Sequence, residues 1–205
     1  MVIKKSIYCA LLILFLIPAN GRSRLGDYYL GFGVSALEHE TFDSGAKADL
    51  FLNIPIFDNS DINLYLSDST YGLMGYTENF TEVGVDYIYH FKEYDLFEDL
   101  FLPYMGIGIS YGSVSGLDNF FLNSQAGLDF PINDFFSLNP MVSFYGPWDD
   151  FSIIEVEYNL FLNWLINESH ALALKVSRGA FFESDYIGVE YMYTWGKRKR
   201  RKFGF

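Results

Sequence analysis

The stretch Tyr28-Tyr29-Leu30-Gly31-Phe32-Gly33-Val34-Ser35-Ala36 sets Tyr28, Leu30, Phe32, Val34 and Ala36 at every second position, with Tyr29, Gly31, Gly33 and Ser35 between them. Successive side chains of a strand point to opposite faces, so this reads as a strand with one greasy face and one small or polar face. The next segment repeats the pattern, with Ala46, Ala48, Leu50, Leu52 and Ile54 against Lys47, Asp49, Phe51 and Asn53. Alternation then recurs around Leu64, Val85, Ile107, Leu128, Val142, Leu160, Leu174 and Val189. Helical spacing at i, i+3, i+4 and i+7 is scarce after residue 21, and no later run reaches the ~18 consecutive apolar residues of a membrane helix. The pattern predicts ten strands, an even number. Because the third segment degrades into Asp68-Ser69-Thr70, eight strands is the alternative.

The polar face decides which side is the interior. A soluble barrel would turn its apolar face inward and cover the outside with Lys and Glu. In this chain the apolar face carries aromatics near segment ends, while the other face mixes Gly, Ser, Asn and a few charges. Aromatic girdles outside and small or polar residues inside mark an antiparallel up-and-down barrel whose exterior meets lipid. Lys47, Asp49, Glu82, Asp86, Glu155, Glu157, Lys175 and Glu190 all fall on the polar parity and are the expected lining of the lumen.

Composition agrees with that class. The 205 residues include 21 Phe, 16 Tyr and 3 Trp but a single Cys, which excludes a disulfide scaffold or a disordered chain. A net charge of -12 argues against nucleic acid, whose phosphates need a basic surface. Lys4 and Lys5 precede the apolar run Ile7 to Ile17, and Pro18 and Ala19-Asn20-Gly21 follow it. This is the order of a secretory signal peptide, with cleavage expected after Gly21 and Cys9 lost with it. The expected organisation is a signal peptide over 1–21, a barrel over 22–196 and a basic tail over 197–205. The tail either touches anionic headgroups or is solvated.

Phe57 to Asp61, Pro131 to Asp134 and Ile166 to Ser169 read as tight turns on the side where both termini meet. The remaining connections fall at the other end, over Glu38 to Gly45, Ser67 to Asn79, Gly112 to Asp118, Gly146 to Asp150 and Gly179 to Asp185. Lys92 to Asp99 is longer than its neighbouring turns and reads as a short amphipathic helix.

Leu102-Pro103-Tyr104-Met105-Gly106-Ile107-Gly108-Ile109-Ser110-Tyr111 resembles a Pro-Tyr-x-Gly-x-Gly strand of the small outer-membrane β-barrel proteins of Gram-negative bacteria, of the outer-membrane protein A and X type. Gln125 to Asp134 is similar to the strand and turn that follow it there. The resemblance implies export to the cell outer membrane and a porin-like architecture, with outer-membrane lipid and the barrel assembly machinery as partners. It also implies that Gly188, Tyr191, Tyr193 and Trp195, in the closing strand, are the assembly signal. In that family the chain commonly ends on the last-strand aromatic, whereas Gly196 and the basic run follow Trp195 in this chain.

Catalysis is not expected. Lipid A 3-O-deacylase, a small barrel enzyme, pairs a His-x-Ser with a later Glu; here Ser177 precedes Glu183, but the base position holds Lys175. Without a histidine to take the serine proton the nucleophile is not activated. His39, His90 and His170 lie on different segments without ligand spacing, so neither a metal nor a cofactor is expected. The inward acids Glu82, Asp86, Glu155, Glu157 and Glu190 are expected to neutralise Lys47 and Lys175 in a solvated or hydrogen-bonded plug. Five acids against two bases leave an excess, so either water enters or some acids hold protons. The expected role is structural or surface-interacting, with an extracellular ligand that the sequence does not name. The alternatives are a narrow cation-preferring channel and, behind it, a lipid A-modifying hydrolase centred on Ser177.

Overall fold

The computed structural model describes residues 28–39, 44–57, 59–73, 76–91, 102–114, 117–133, 135–150, 154–180 and 184–196. Period-two alternation is realised as ten strands: β1 (Tyr28–His39), β2 (Gly45–Phe57), β3 (Ser60–Leu73), β4 (Tyr76–His90), β5 (Leu102–Val114), β6 (Leu117–Pro131), β7 (Phe136–Pro147), β8 (Glu155–Leu165), β9 (His170–Gly179) and β10 (Ser184–Gly196). Each strand pairs antiparallel with its sequence neighbours, and β1 pairs with β10 to close the barrel. Closure removes every sheet edge, which a chain in lipid requires because no water can satisfy an open edge. Following the pairings once around the wall returns to β1 about twelve residues along, which with ten strands corresponds to a tilt of ~40°.

The faces are inverted relative to a soluble protein. Ile107 on the outside is 63% exposed, whereas Asn53 on the inside is 1% exposed. Leu30, Val34, Leu50, Leu66, Val83, Val85, Ile109, Leu160, Val176 and Val189 continue the exposed apolar band. Aromatics border it. At the end where β1 starts and β10 finishes, which we call the terminal end, Tyr28 and Tyr193 each lie 6.4 Å from Trp195, Phe136 lies 6.3 Å from Trp164 and Tyr89 lies 5.0 Å from Phe91. At the far end, Tyr111 packs 5.2 Å from Phe120, with Trp148 exposed beside the same rim. Two aromatic belts around an aliphatic band are the profile of a barrel surface in a bilayer.

Two expectations are corrected. Ser67 to Asn79 is mostly strand and not a connection: β3 continues to Leu73 and β4 begins at Tyr76. Likewise Gly112 to Asp118 is mostly strand, β5 ending at Val114 and β6 starting at Leu117. The polar residues that interrupted the greasy pattern pair with each other across the outer face. Thr81 Oγ1 donates to Asp68 Oδ1 (2.6 Å) and Thr70 Oγ1 donates to Asn79 Oδ1 (3.1 Å). Such cross-strand pairs stabilise a strand beyond the apolar band, where outward polar groups cost nothing. This disposes of the eight-stranded count. The signal peptide over 1–21, the helix over Lys92 to Asp99, the tail over 197–205 and Glu183 lie outside the described residues.

Candidate functional site

The inner face divides into three tiers along the axis. The terminal tier is packed. Asp61, near the start of β3, is 1% exposed and lies 2.8 Å from His90 Nε2 at the end of β4. Asn53 Nδ2 of β2 donates to the same Asp61 oxygen at 3.2 Å. Tyr104 of β5 donates its hydroxyl to Asn139 Oδ1 of β7 at 2.8 Å, and its ring lies 6.3 Å from that of His90. Asn163 Nδ2 donates to Ser137 Oγ at 3.2 Å. Across the lumen, Ala171, Ala173 and Met192 form a small apolar core against Tyr29 and Phe51. All these groups come from the strand ends next to the tight turns, so they share one level of the barrel. Polar groups bonded to one another within a packed layer make this tier rigid.

The middle tier holds charge. Gly33 of β1 is flanked by Asp49 on β2 and Glu190 on β10. A side chain at Gly33 would stand 3.0 Å from the Glu190 Cγ, so its absence leaves space for the two acids to face each other. Lys47 Nζ binds Asp49 Oδ1 at 3.3 Å. Lys175, within electrostatic reach of Glu190, also sits over the Phe161 ring at 5.5 Å. At the same level on the opposite wall Asp86 accepts from Asn123 Nδ2 at 2.7 Å, and Asn123 also donates to the Tyr65 hydroxyl at 2.9 Å. Tyr65 donates its own hydroxyl hydrogen to Glu82 Oε1 at 3.0 Å. Gly108 makes this cluster possible, since a Cβ there would overlap both the Asp86 carboxylate and the Val85 carbonyl.

The far tier is hollow. A cavity of about 510 Å³ is lined by Glu82, Asp86, Glu155 and Glu157, by Lys47 and by Ser67, with the aromatics Tyr65, Phe80, Tyr145 and Tyr186 around them. None of the terminal-tier residues lines it. Thus Lys47, Glu82, Asp86, Glu155 and Glu157 come together around one space, while Asp49, Lys175 and Glu190 lie at its floor. The signal that marked these residues was parity alone. Sequence reasoning missed Asn53, Asp61 and His90 as partners in the packed tier and Tyr65, Ser67 and Asn123 as wall. Their inward parity was the only signal available, because level in the barrel depends on strand tilt.

The remaining singled-out residues take structural positions. Gly188 faces the β1 seam, where a Cβ would overlap Ser35 Oγ and the Val34 carbonyl. Tyr191, Tyr193 and Trp195 project outward into the terminal belt. Ser177 points inward at 2% exposure, while His170 points outward and bonds through Nδ1 to the Tyr191 hydroxyl. The serine and that imidazole are therefore on opposite faces of β9. Among the described residues no three His, Cys, Asp or Glu side chains converge to hold a metal ion.

No family model matches the chain, and no curated protein matches it. Solved structures do. The chain is similar to an outer-membrane channel from Pseudomonas putida, with 8% identity, a TM-score of 0.55, and 87% of this chain and 99% of that one covered. The translocator domain of the autotransporter NalP from Neisseria meningitidis aligns at 9% identity with a TM-score of 0.49, covering 94% and 95%. The KdgM porin aligns at 14% identity with a TM-score of 0.48, covering 80% and 99%. At such identities the likeness concerns the fold. Its closed antiparallel wall, inverted faces and ten strands make this chain a small β-barrel of the outer-membrane type.

Proposed function

We propose that the protein is an integral outer-membrane barrel with a surface-interaction role: blind at the terminal end, which faces the periplasm, and hollow toward the cell surface. The observation that carries this reading is the terminal tier, where Asp61, His90, Asn53, Tyr104 and Asn139 bond to one another at exposures of 8% or less. A hydrated solute crossing that level would have to break the buried Asp61–His90, Asn53–Asp61 and Tyr104–Asn139 hydrogen bonds. The short β2–β3, β6–β7 and β8–β9 turns at the terminal end and the long β3–β4 hairpin at the far end support this orientation, since small barrels of this class turn tightly on the periplasmic side, although the β4–β5 connection at the terminal end is longer. A narrow cation-preferring channel is the second reading, favoured by four lining acids against one lysine.

Planar-bilayer recording of the purified protein separates the two. The blind reading expects no steady conductance from the native chain and conductance from a His90→Ala, Asp61→Ala double variant. Steady native conductance that prefers cations and falls on Glu155→Gln, Glu157→Gln substitution would overturn it in favour of the channel.

A further inference from the structure

We infer that the far-end cavity is a binding vestibule for a linear organic cation carrying several amines separated by methylenes. The inference rests on the blind reading above only for the direction of entry.

Charge is the first observation. Glu82, Asp86, Glu155 and Glu157 line the cavity, and the single lysine there, Lys47, is already paired with Asp49 below it. Lys47 also lies in the electrostatic reach of Glu82 and Glu157, yet one base against four lining acids leaves the vestibule a surplus of negative charge inside a low-dielectric wall, which strengthens attraction for a cation.

Hydrogen-bond accounting supplies the second observation. Ser67 is 2% exposed, lines the cavity beside its cross-strand neighbour Glu82, and has no hydrogen-bond partner for its Oγ. Asn123 commits its amide N–H groups to Tyr65 and Asp86, which leaves its buried Oδ1 as an acceptor without a donor. Carboxylates and the Asn123 Oδ1 accept only, and the Ser67 hydroxyl can accept as well as donate, so an ammonium with three donors complements this wall.

Spacing distinguishes a chain from an ion. The acids are spread over the wall rather than gathered at a point, consistent with no three converging on a metal position among the described residues. Asp86 and Glu82 are four residues apart on β4, or about 13 Å along the strand, and Glu155 and Glu157 stand on β8 across the lumen. Between the acids lie Phe80, Tyr65, Tyr145, Tyr186, Leu37 and Met141, suited to methylenes and to ammonium groups over ring faces. Separated carboxylates joined by aromatic and aliphatic wall match separated amines joined by methylenes.

Calorimetric titration of spermidine into the full-length protein in lipid nanodiscs, at low ionic strength, tests this. We expect one saturable site, with butylamine and magnesium each binding at least about tenfold more weakly. Glu82→Gln, Glu157→Gln is expected to weaken spermidine binding by a further factor of about ten, while Glu190→Gln at the floor leaves it within about twofold. If the double variant does not give a heat-modifiable band, Glu155→Gln near the mouth and Ser67→Ala serve in its place, each expected to weaken binding severalfold. Magnesium binding as tightly as spermidine, or spermidine binding indifferent to the vestibule variants, would overturn the inference. The nanodisc titration does not depend on conductance, so a conducting native barrel would overturn the blind reading alone.

Discussion

In the terminal half of the lumen, Asp61 is held by His90 and Asn53 and is 1% exposed; in the far half, Glu157 faces a cavity of about 510 Å³. Both are carboxylates on the inner face of the same wall. What separates them is the supply of neighbours. Near the tight turns, donors from β2 and β4 reach Asp61 at one level, and Ala171, Ala173 and Met192 fill the remaining volume. Toward the far end the small residues Ser67, Ser69 and Ser143 leave space, and the acids outnumber the bases. The same barrel is thus a folding core at one end and a receptacle at the other.

The largest effect should come from breaking the hydrogen bonds of the packed half. Asp61→Ala removes the acceptor that His90 Nε2 and Asn53 Nδ2 share in a buried layer, and each buried group deprived of its hydrogen bond costs about 1–3 kcal/mol. Unfolding in urea, read by the loss of the fast-migrating unboiled band, should move accordingly. Glu157→Gln should shift it by less than about 1 kcal/mol, because Glu157 faces a cavity and the Lys47 it attracts keeps its contact with Asp49.

Volume gives the next contrast. Ala173→Leu, in a tier where Ala173 is 1% exposed, should destabilise by about 1–3 kcal/mol through overpacking, whereas Ser143→Leu on the cavity wall should be tolerated within about 1 kcal/mol. Equal losses for the two would mean that the far half is as tightly packed as the terminal half. A smaller change is expected at the boundary between them. Tyr65→Phe removes the hydroxyl that accepts from Asn123 and donates to Glu82, for a loss of about 1 kcal/mol by the same assay. The smallest effect belongs to the outside, where Arg178 and Asp185 are 3.8 Å apart and both exposed; Arg178→Ala should change stability by less than about 0.5 kcal/mol.

The division between plug and vestibule explains how far the sequence could be read. Parity alone assigns Leu30, Ile107 and Val189 to lipid and Lys47, Glu82 and Glu157 to the lumen, because each strand step reverses the face. It also carried the count to ten once Asp68 and Thr70 are understood as outward partners of Thr81 and Asn79. Parity has no information about height. His90, set aside in the sequence because it had no ligand spacing, meets Asp61 only because the hairpin register puts the end of β4 beside the start of β3. Tyr65, Asp86 and Asn123 similarly come from three strands, and tilt and stagger bring them to one level. The cavity follows from that stagger combined with small side chains, a property of the closed wall that no single segment displays.

The comparison between the two halves is tested most directly by thiol labelling from the aqueous phase. In a Cys9→Ser chain embedded in liposomes, Ser143→Cys on the vestibule wall and Asn139→Cys in the packed tier would each be exposed to a cationic methanethiosulfonate reagent. Rapid modification of Ser143→Cys with Asn139→Cys protected until the barrel is heat-denatured is the expected result. Equal rates at the two positions would contradict a barrel that is packed at one end and hollow at the other.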